Sequence, residues 1–250
     1  MTSPARVLAI LGLFSKEQPV WSPDDINDTL GYSRTTGYRY VKELVDAGFL
    51  QKLSSGLYSL GPRIIELDYQ LRQSDPLLLS ARPHMEALSA ATGLDCVLSV
   101  LFLNSIQIID VYRTNVQPGL ALSYGRGRPR PMLCSSAPKI LLSSLKPGQL
   151  KKVYESCPQD VRESDMGPEW EDFRNYLKQV RRKGHYLSLG ELEPQLGSVA
   201  VPVWSIDGEI VAALAAVGDV EKFRNGDNDA LAATMKETSE RITRDLAELV

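Results

Sequence analysis

The sequence predicts an α+β chain in two parts: a small helical unit closed by a hairpin, then, beyond a helical linker, a larger unit of helices and mostly antiparallel strands. Three observations carry this reading. Apolar residues recur at helical spacing from Val7 to Leu44, interrupted by two capping sequences and closed by Gly48. Short strand-forming runs then flank Ser54-Ser55-Gly56. Further on, helical stretches alternate with apolar strands, two of which meet at the hairpin dipeptide Asp207-Gly208.

The elements follow in order. Val7, Leu8, Leu11 and Phe14 repeat at helical spacing, which predicts a helix over 4–15. Ser22 suits an N-cap, Pro23 the first helical position, and Asp25 the acid of a capping box. Asp24 and Asp25 also complement the positive end of a helix dipole. Ile26 and Leu30 supply the buried side, and Gly31 permits a left-handed stop. Ser33 caps a third helix. Gly37, Val41 and Leu44 share one of its faces; Thr35, Arg39 and Lys42 share the other, flanked by Arg34 and Tyr38. Phe49–Leu53 and Leu57–Leu60 form the hairpin.

Two helices joined by a tight turn, the second with a polar and basic outer face, follow the helix-turn-helix plan, and the hairpin makes it a winged one. Such a face needs donors that reach base edges and phosphates. Arginine can grip guanine in a bidentate way, and Thr or Tyr can meet phosphate or a thymine methyl. The candidate DNA-binding residues are Ser33, Arg34, Thr35, Thr36, Tyr38, Arg39 and Lys42, with Lys52 on the wing facing the phosphates. A protein-interaction module with a solvated basic face is the alternative.

Charge alone does not argue for DNA, because the net charge is −3. Residues 1–61 hold six bases and six acids, so position matters: the acids gather at Asp24–Asp28 and the bases on the third helix. The chain's 43% hydrophobic and 24% charged residues match ordinary globular protein. No apolar run long enough to span a bilayer is present, and the first residues lack a signal-peptide layout, so the cytoplasm is expected and no membrane. Three dispersed cysteines and two histidines suit neither a disulfide framework nor a metal site. No cofactor is expected.

Residues 62–74, opened by Pro62 and carrying Ile64, Ile65, Leu67 and Leu71, read as the helical linker between a domain at 1–61 and one at 75–250. The second domain is expected to hold a helix over 76–92 and strands over 95–103, 106–112 and 119–124. Helices over 137–145, 147–156 and 168–183 follow. Strands over 186–189, 198–204 and 209–217 precede a last amphipathic helix over 227–249.

The run from Tyr32 to Leu50 resembles the recognition helix of the IclR family of bacterial transcriptional regulators, at Arg34, Thr35, Thr36, Arg39, Leu44 and Gly48. Tyr38 stands where histidine is frequent. Gly127 to Leu142 resembles that family's loop-plus-helix motif at Pro131, Ser135, Ser136, Lys139 and Leu141-Leu142, with Pro138 in place of a common Gly or Ser. Leu196 to Leu214 is similar to its paired strands. The resemblance spans nearly the whole chain in the expected order. It implies a GAF-like effector-binding domain, a double-stranded DNA operator, a linker helix packed on a partner subunit, and a homodimer or homotetramer.

It also implies an effector pocket on one face of the sheet, made by Arg130, Met132, Cys134, Ser135, Ser136, Ala137, Glu191, Ser198, Ala215 and Val217. The helix start at 134–137 offers backbone N–H groups and hydroxyls that suit a carboxylate. Glu191 and Glu193 fall in the family's variable pocket-edge loop. Ala215 and Val217 replace serines found in some members, so the expected effector is an aromatic or otherwise hydrophobic organic acid. The basic loop Gly125–Arg130 reads either as solvated or as a lid drawing in an anion. An enzyme with Cys134 as nucleophile and His185 as base is a further alternative, although no elbow motif orders the two.

Overall fold

The computed structural model describes residues 2–117 and 125–249, and the strand expected over 119–124 lies outside them. The chain divides into two compact units, Met1–Asp75 and Pro76–Val250.

The first unit holds α1 (Ser3–Leu11), α2 (Pro23–Leu30), α3 (Arg34–Asp46), β1 (Leu50–Lys52), β2 (Tyr58–Leu60) and α4 (Arg63–Ser74). Local chemistry sets its boundaries. The Ser22 hydroxyl accepts the Asp25 N–H at 3.1 Å and Ser33 accepts that of Thr36 at 3.4 Å, so each helix satisfies one of its orphan donors. Gly31, at φ 67°, turns the chain between α2 and α3 in a conformation that suits glycine. The core is Ile10, Trp21, Ile26, Tyr40, Val41, Leu44 and Leu50. In α1 the inward residue is Ile10, fully buried, while Leu8 is 61% exposed. The expected helix also stops at Gly12 rather than at residue 15.

Gly37 lies where α3 crosses α2: a Cβ there would fall 1.4 Å from Asn27 Oδ1, so the crossing is close because the side chain is missing. Trp21 exchanges two backbone hydrogen bonds with Tyr58, at 3.0 and 2.8 Å, which ties the hairpin to the entry of α2.

The second unit opens with α5 (Pro76–Thr92), β3 (Asp95–Phe102), β4 (Gln107–Arg113) and β5 (Pro129–Arg130). Next come α6 (Ser136–Ser143), α7 (Pro147–Ser156), α8 (Pro158–Glu163) and α9 (Trp170–Lys183). It ends with β6 (Tyr186–Leu189), β7 (Leu196–Trp204), β8 (Ile210–Asp219), α10 (Val220–Asn225) and α11 (Asn228–Leu249). Among the described residues six strands form one antiparallel sheet in the order β5-β4-β3-β8-β7-β6. This is the GAF-like α+β arrangement expected from the sequence.

Both sheet faces are covered, which explains why β7 and β8 read as continuous apolar runs rather than alternating ones. Val199, Val201, Val203, Leu214 and Ala216 pack with Met85 and Leu88 of α5 and Met235 and Ile242 of α11. On the other face Ala200, Ala213, Ala215 and Val217 meet Ile140 and Leu141 of α6 and Phe173 and Leu177 of α9. Acids in the first turn of α9, Arg181-Arg182-Lys183 in its last, and Gly184 at φ 70° complete a helix whose ends match its dipole. Among the described residues no helix is long and apolar enough to cross a membrane.

Candidate DNA interface and effector site

The outer face of α3 exposes Arg34, Thr35, Tyr38, Arg39 and Lys42, while Gly37, Tyr40, Val41 and Leu44 are buried. Thr36 is half-buried and its hydroxyl accepts from Ser33 Oγ at 2.9 Å, so both residues serve the helix start. Arg34 pairs with Asp24 at 3.3 Å and lies over the Tyr38 ring, 5.7 Å from its centroid. The Tyr38 hydroxyl reaches the same carboxylate at 3.4 Å. Asp24 therefore pre-sets two of the candidate contacts. Arg39, 62% exposed, lies 5.3 Å from the Tyr40 ring centroid and 4.0 Å from Glu43. Lys42 and Lys52 are exposed and form no ion pair among the described residues.

The second site gathers around the start of α6. Ser135 sits at φ 80°, a region that a side chain rarely adopts, and this aims its N–H at the Glu191 carboxylate, 3.0 Å away. Glu191 also accepts from Lys139 Nζ at 2.9 Å and from the Tyr186 hydroxyl at 3.0 Å. The side chain of Lys139 is only 1% exposed, and it also binds Asp165 at 3.0 Å and the Tyr186 hydroxyl at 2.9 Å. Burial opposes its charge, but the bonds from Tyr186, Glu191 and Asp165 outweigh that and hold its pKa above the ordinary lysine value. Burial pushes the Tyr186 phenol up. Ser136 and Ser198, both buried, hydrogen-bond to each other at 2.7 Å.

Beside this network lies a cleft of ≈ 570 Å³, within the usual range for small-ligand sites. Met132, Leu133 and Cys134 supply one wall; Asp160, Glu163, Asp165 and Glu191 supply acids. Ala215 and Val217 do not reach it among the described residues: they are 1% exposed and pack in the core on the α6 side of the sheet, together with buried Ala137.

The basic loop is neither a solvated tail nor an open lid where Arg130 is concerned. Its side chain is 2% exposed and pairs at 3.2 Å with fully buried Asp110, and it reaches Ser135 Oγ at 3.3 Å. Arg126 donates to the Val111 carbonyl. Arg130 is thus an internal strut that holds the residue capping α6.

Cys134 Sγ donates to the Glu191 carbonyl at 3.1 Å, and burial, aided by the Glu191 charge, raises its pKa. That favours a thiol over the thiolate a nucleophile needs. Sequence reasoning missed Asp110, Asp165 and Tyr186 as members of these networks, and with them Tyr176, whose hydroxyl meets that of Tyr186 at 2.7 Å and donates to Asp165 at 3.1 Å. The available signal was a charged residue inside an apolar run: Asp110 follows Ile108-Ile109, and Lys139 precedes Ile140-Leu141-Leu142.

Comparison with known proteins follows the same division. The helix-turn-helix domain of IclR matches residues 3–54, and the C-terminal domain of bacterial transcriptional regulator IclR matches residues 70–244. The chain belongs to the IclR family. A similar member is the Pca regulon regulatory protein of Pseudomonas putida, 26% identical over 215 residues, which span 86% of this chain and 73% of that one. A putative IclR transcriptional regulator from Silicibacter sp. superposes with a TM-score of 0.80 at 21% identity, covering 98% of this chain and 96% of that one. An IclR homolog from Microbacterium hydrocarbonoxydans, crystallised with 4-hydroxybenzoate, gives a TM-score of 0.74 at 24% identity, covering 98% and 99%. As an IclR-type protein the chain is a ligand-responsive, DNA-binding transcriptional regulator rather than an enzyme.

Proposed function

We propose that the effector is a small organic acid carrying an aromatic or hydrophobic group, held between the start of α6 and β7. One observation carries this reading: the start of α6 already engages a carboxylate, that of Glu191, through Ser135 N–H and Lys139 Nζ. The chemistry there suits a negatively charged oxygen pair, and charge-assisted bonds of this kind are roughly twice as strong as neutral ones. Met132 and Leu133 offer an apolar surface beside it. The similar Microbacterium protein carries 4-hydroxybenzoate, an acid of the proposed class.

In this reading the Ser136 hydroxyl, at the start of α6, also donates to the bound acid, so Ser136→Ala is expected to weaken binding of 4-hydroxybenzoate about tenfold or more, since a lost hydrogen bond to a charged group costs about 1.5–3 kcal/mol, and to leave ligand-free DNA binding unchanged. Calorimetry on the two proteins reads this directly, and equal affinities contradict the role given to Ser136.

The regulator acts in the cytoplasm as a homodimer or homotetramer on a two-half-site operator, with Ser33, Arg34, Thr35, Thr36, Tyr38, Arg39, Lys42 and Lys52 on the DNA side. The support for assembly is α4, which has no buried residue and exposes Ile65 at 73%, Tyr69 at 65%, Leu71 at 52% and Leu67 at 36%. An apolar helix face of that kind calls for a cover, and a second copy of the chain supplies one symmetrically. Leu71→Glu is expected to lower the mass measured by light scattering. A wild-type mass of one chain contradicts the assembly.

A further inference from the structure

An incoming acid at the start of α6 meets a seat that is already taken. Glu191 Oε2 holds the Ser135 N–H and Lys139 Nζ, and Oε1 holds the Tyr186 hydroxyl, so both oxygens are engaged. The hydroxyls of Ser136 and Ser198 are engaged with each other. We propose that Glu191 is a tethered stand-in for the effector's carboxylate, and that an acid binds by expelling it and taking over Ser135 N–H and Lys139 Nζ. This rests on the organic-acid reading above and adds how the site discriminates.

The partners are unequal in what they lose. The Glu191 side chain is 24% exposed and sits at the rim, so it regains water when it leaves. Lys139, 1% exposed, stays behind and needs an anion in the vacated place, because its other carboxylate, Asp165, is 59% exposed and half-committed to solvent. A buried ammonium stripped of a partner is costly. The seat therefore accepts a carboxylate and rejects the corresponding amide or ester.

The stand-in is also attached to something that can report its departure. Glu191 follows Gly190, at φ 73°, in the β6–β7 connection. That connection is closed by Gly190 N–H to Leu196 O at 2.8 Å, by Leu196 N–H to Glu193 O at 2.9 Å, and by Cys134 Sγ to Glu191 O at 3.1 Å. Expulsion of the carboxylate frees that segment from α6 on one side.

The test is calorimetric titration of 4-hydroxybenzoate into the full chain and three variants, with 4-hydroxybenzamide as the uncharged probe. Glu191→Gln removes the competing charge. Glu191→Asp keeps the charge but shortens its reach to Ser135. Glu163→Gln removes a cleft acid that does not touch the seat. Both Glu191 variants are expected to bind the acid about tenfold or more tightly than wild type, the scale of one charge-assisted contact no longer displaced. Glu163→Gln should bind like wild type, and no protein should bind the amide comparably.

Unchanged or weaker affinity in both Glu191 variants, with wild type binding the acid, overturns the stand-in and leaves the acid effector intact. A gain in Glu191→Gln without one in Glu191→Asp, or an equal gain in Glu163→Gln, assigns the effect to cleft charge and also overturns it. If none of the four proteins binds the acid, the organic-acid reading falls and the stand-in with it. Glu191→Asp, the milder change, carries the test if Glu191→Gln does not fold.

Discussion

Asp110→Ala is expected to destabilise the C-terminal unit by about 3–5 kcal/mol, the cost of leaving one member of a buried ion pair alone. Asp110 is fully buried and accepts from Arg130 at 3.2 Å and from Ser99 Oγ at 2.6 Å. Without it the Arg130 guanidinium, 2% exposed, loses the buried carboxylate it pairs with at 3.2 Å. Urea unfolding of the full chain measures the loss in the transition of this unit. The double replacement Asp110→Leu with Arg130→Met should recover most of it, because apolar residues of similar size restore packing without the desolvation cost. A loss below about 1 kcal/mol for the single change would show that the pair is solvated and the strut absent. The consequence for function is indirect: Arg130 also steadies Ser135, whose strained backbone aims its N–H at the Glu191 carboxylate.

Arg39→Ala is expected to weaken specific DNA binding by about 1–3 kcal/mol, the value of one bidentate base contact. The fold should not change, since the Arg39 side chain is 62% exposed and packs only loosely, against the Tyr40 ring and Glu43. Thr35→Ala should act in the same direction. Lys52→Ala should instead weaken binding evenly across sequences and reduce the salt slope by about one, as a phosphate contact does. Fluorescence anisotropy with a selected operator duplex and a scrambled one separates the two behaviours. Unchanged operator affinity in both Arg39→Ala and Thr35→Ala places the recognition surface elsewhere.

What was legible in the sequence is what local physics decides. Ser22, Gly31 and Ser33 announce caps and a turn because their hydrogen bonds reach only three to five residues along the chain. The α9 boundary and the Asp207-Gly208 hairpin, with Gly208 at φ 75°, are local in the same sense. Two short helices were not legible. Of six residues each, α8 buries only Val161 and α10 only Val220 and Phe223, too few to set a period. In α1 the spacing was read on Val7, Leu8, Leu11 and Phe14, whereas the fully buried residue is Ile10, packed with Tyr40, Val41 and Leu44 of α3.

The sites divide along the same line. The exposed face of α3 follows from helical spacing, so Thr35, Arg39 and Lys42 stand together as the spacing requires. The α6 network does not. Arg130 reads as part of a solvated loop or of a lid over an effector pocket until β4 brings Asp110 beside it, 20 residues away in sequence. Glu191 meets Ser135 across 56 residues. Such pairings depend on strand order and on the placement of α6, which composition and periodicity leave open.

The most direct measurement of the central claim is the affinity of the full chain for a duplex selected from random sequence, followed by anisotropy at two salt concentrations with and without 4-hydroxybenzoate. A DNA-binding regulator coupled to an acid effector predicts an affinity that falls steeply with salt and shifts by at least about fivefold, in either direction, when the acid binds. Salt-insensitive association, or an affinity unmoved by an acid that calorimetry shows to be bound, would contradict it.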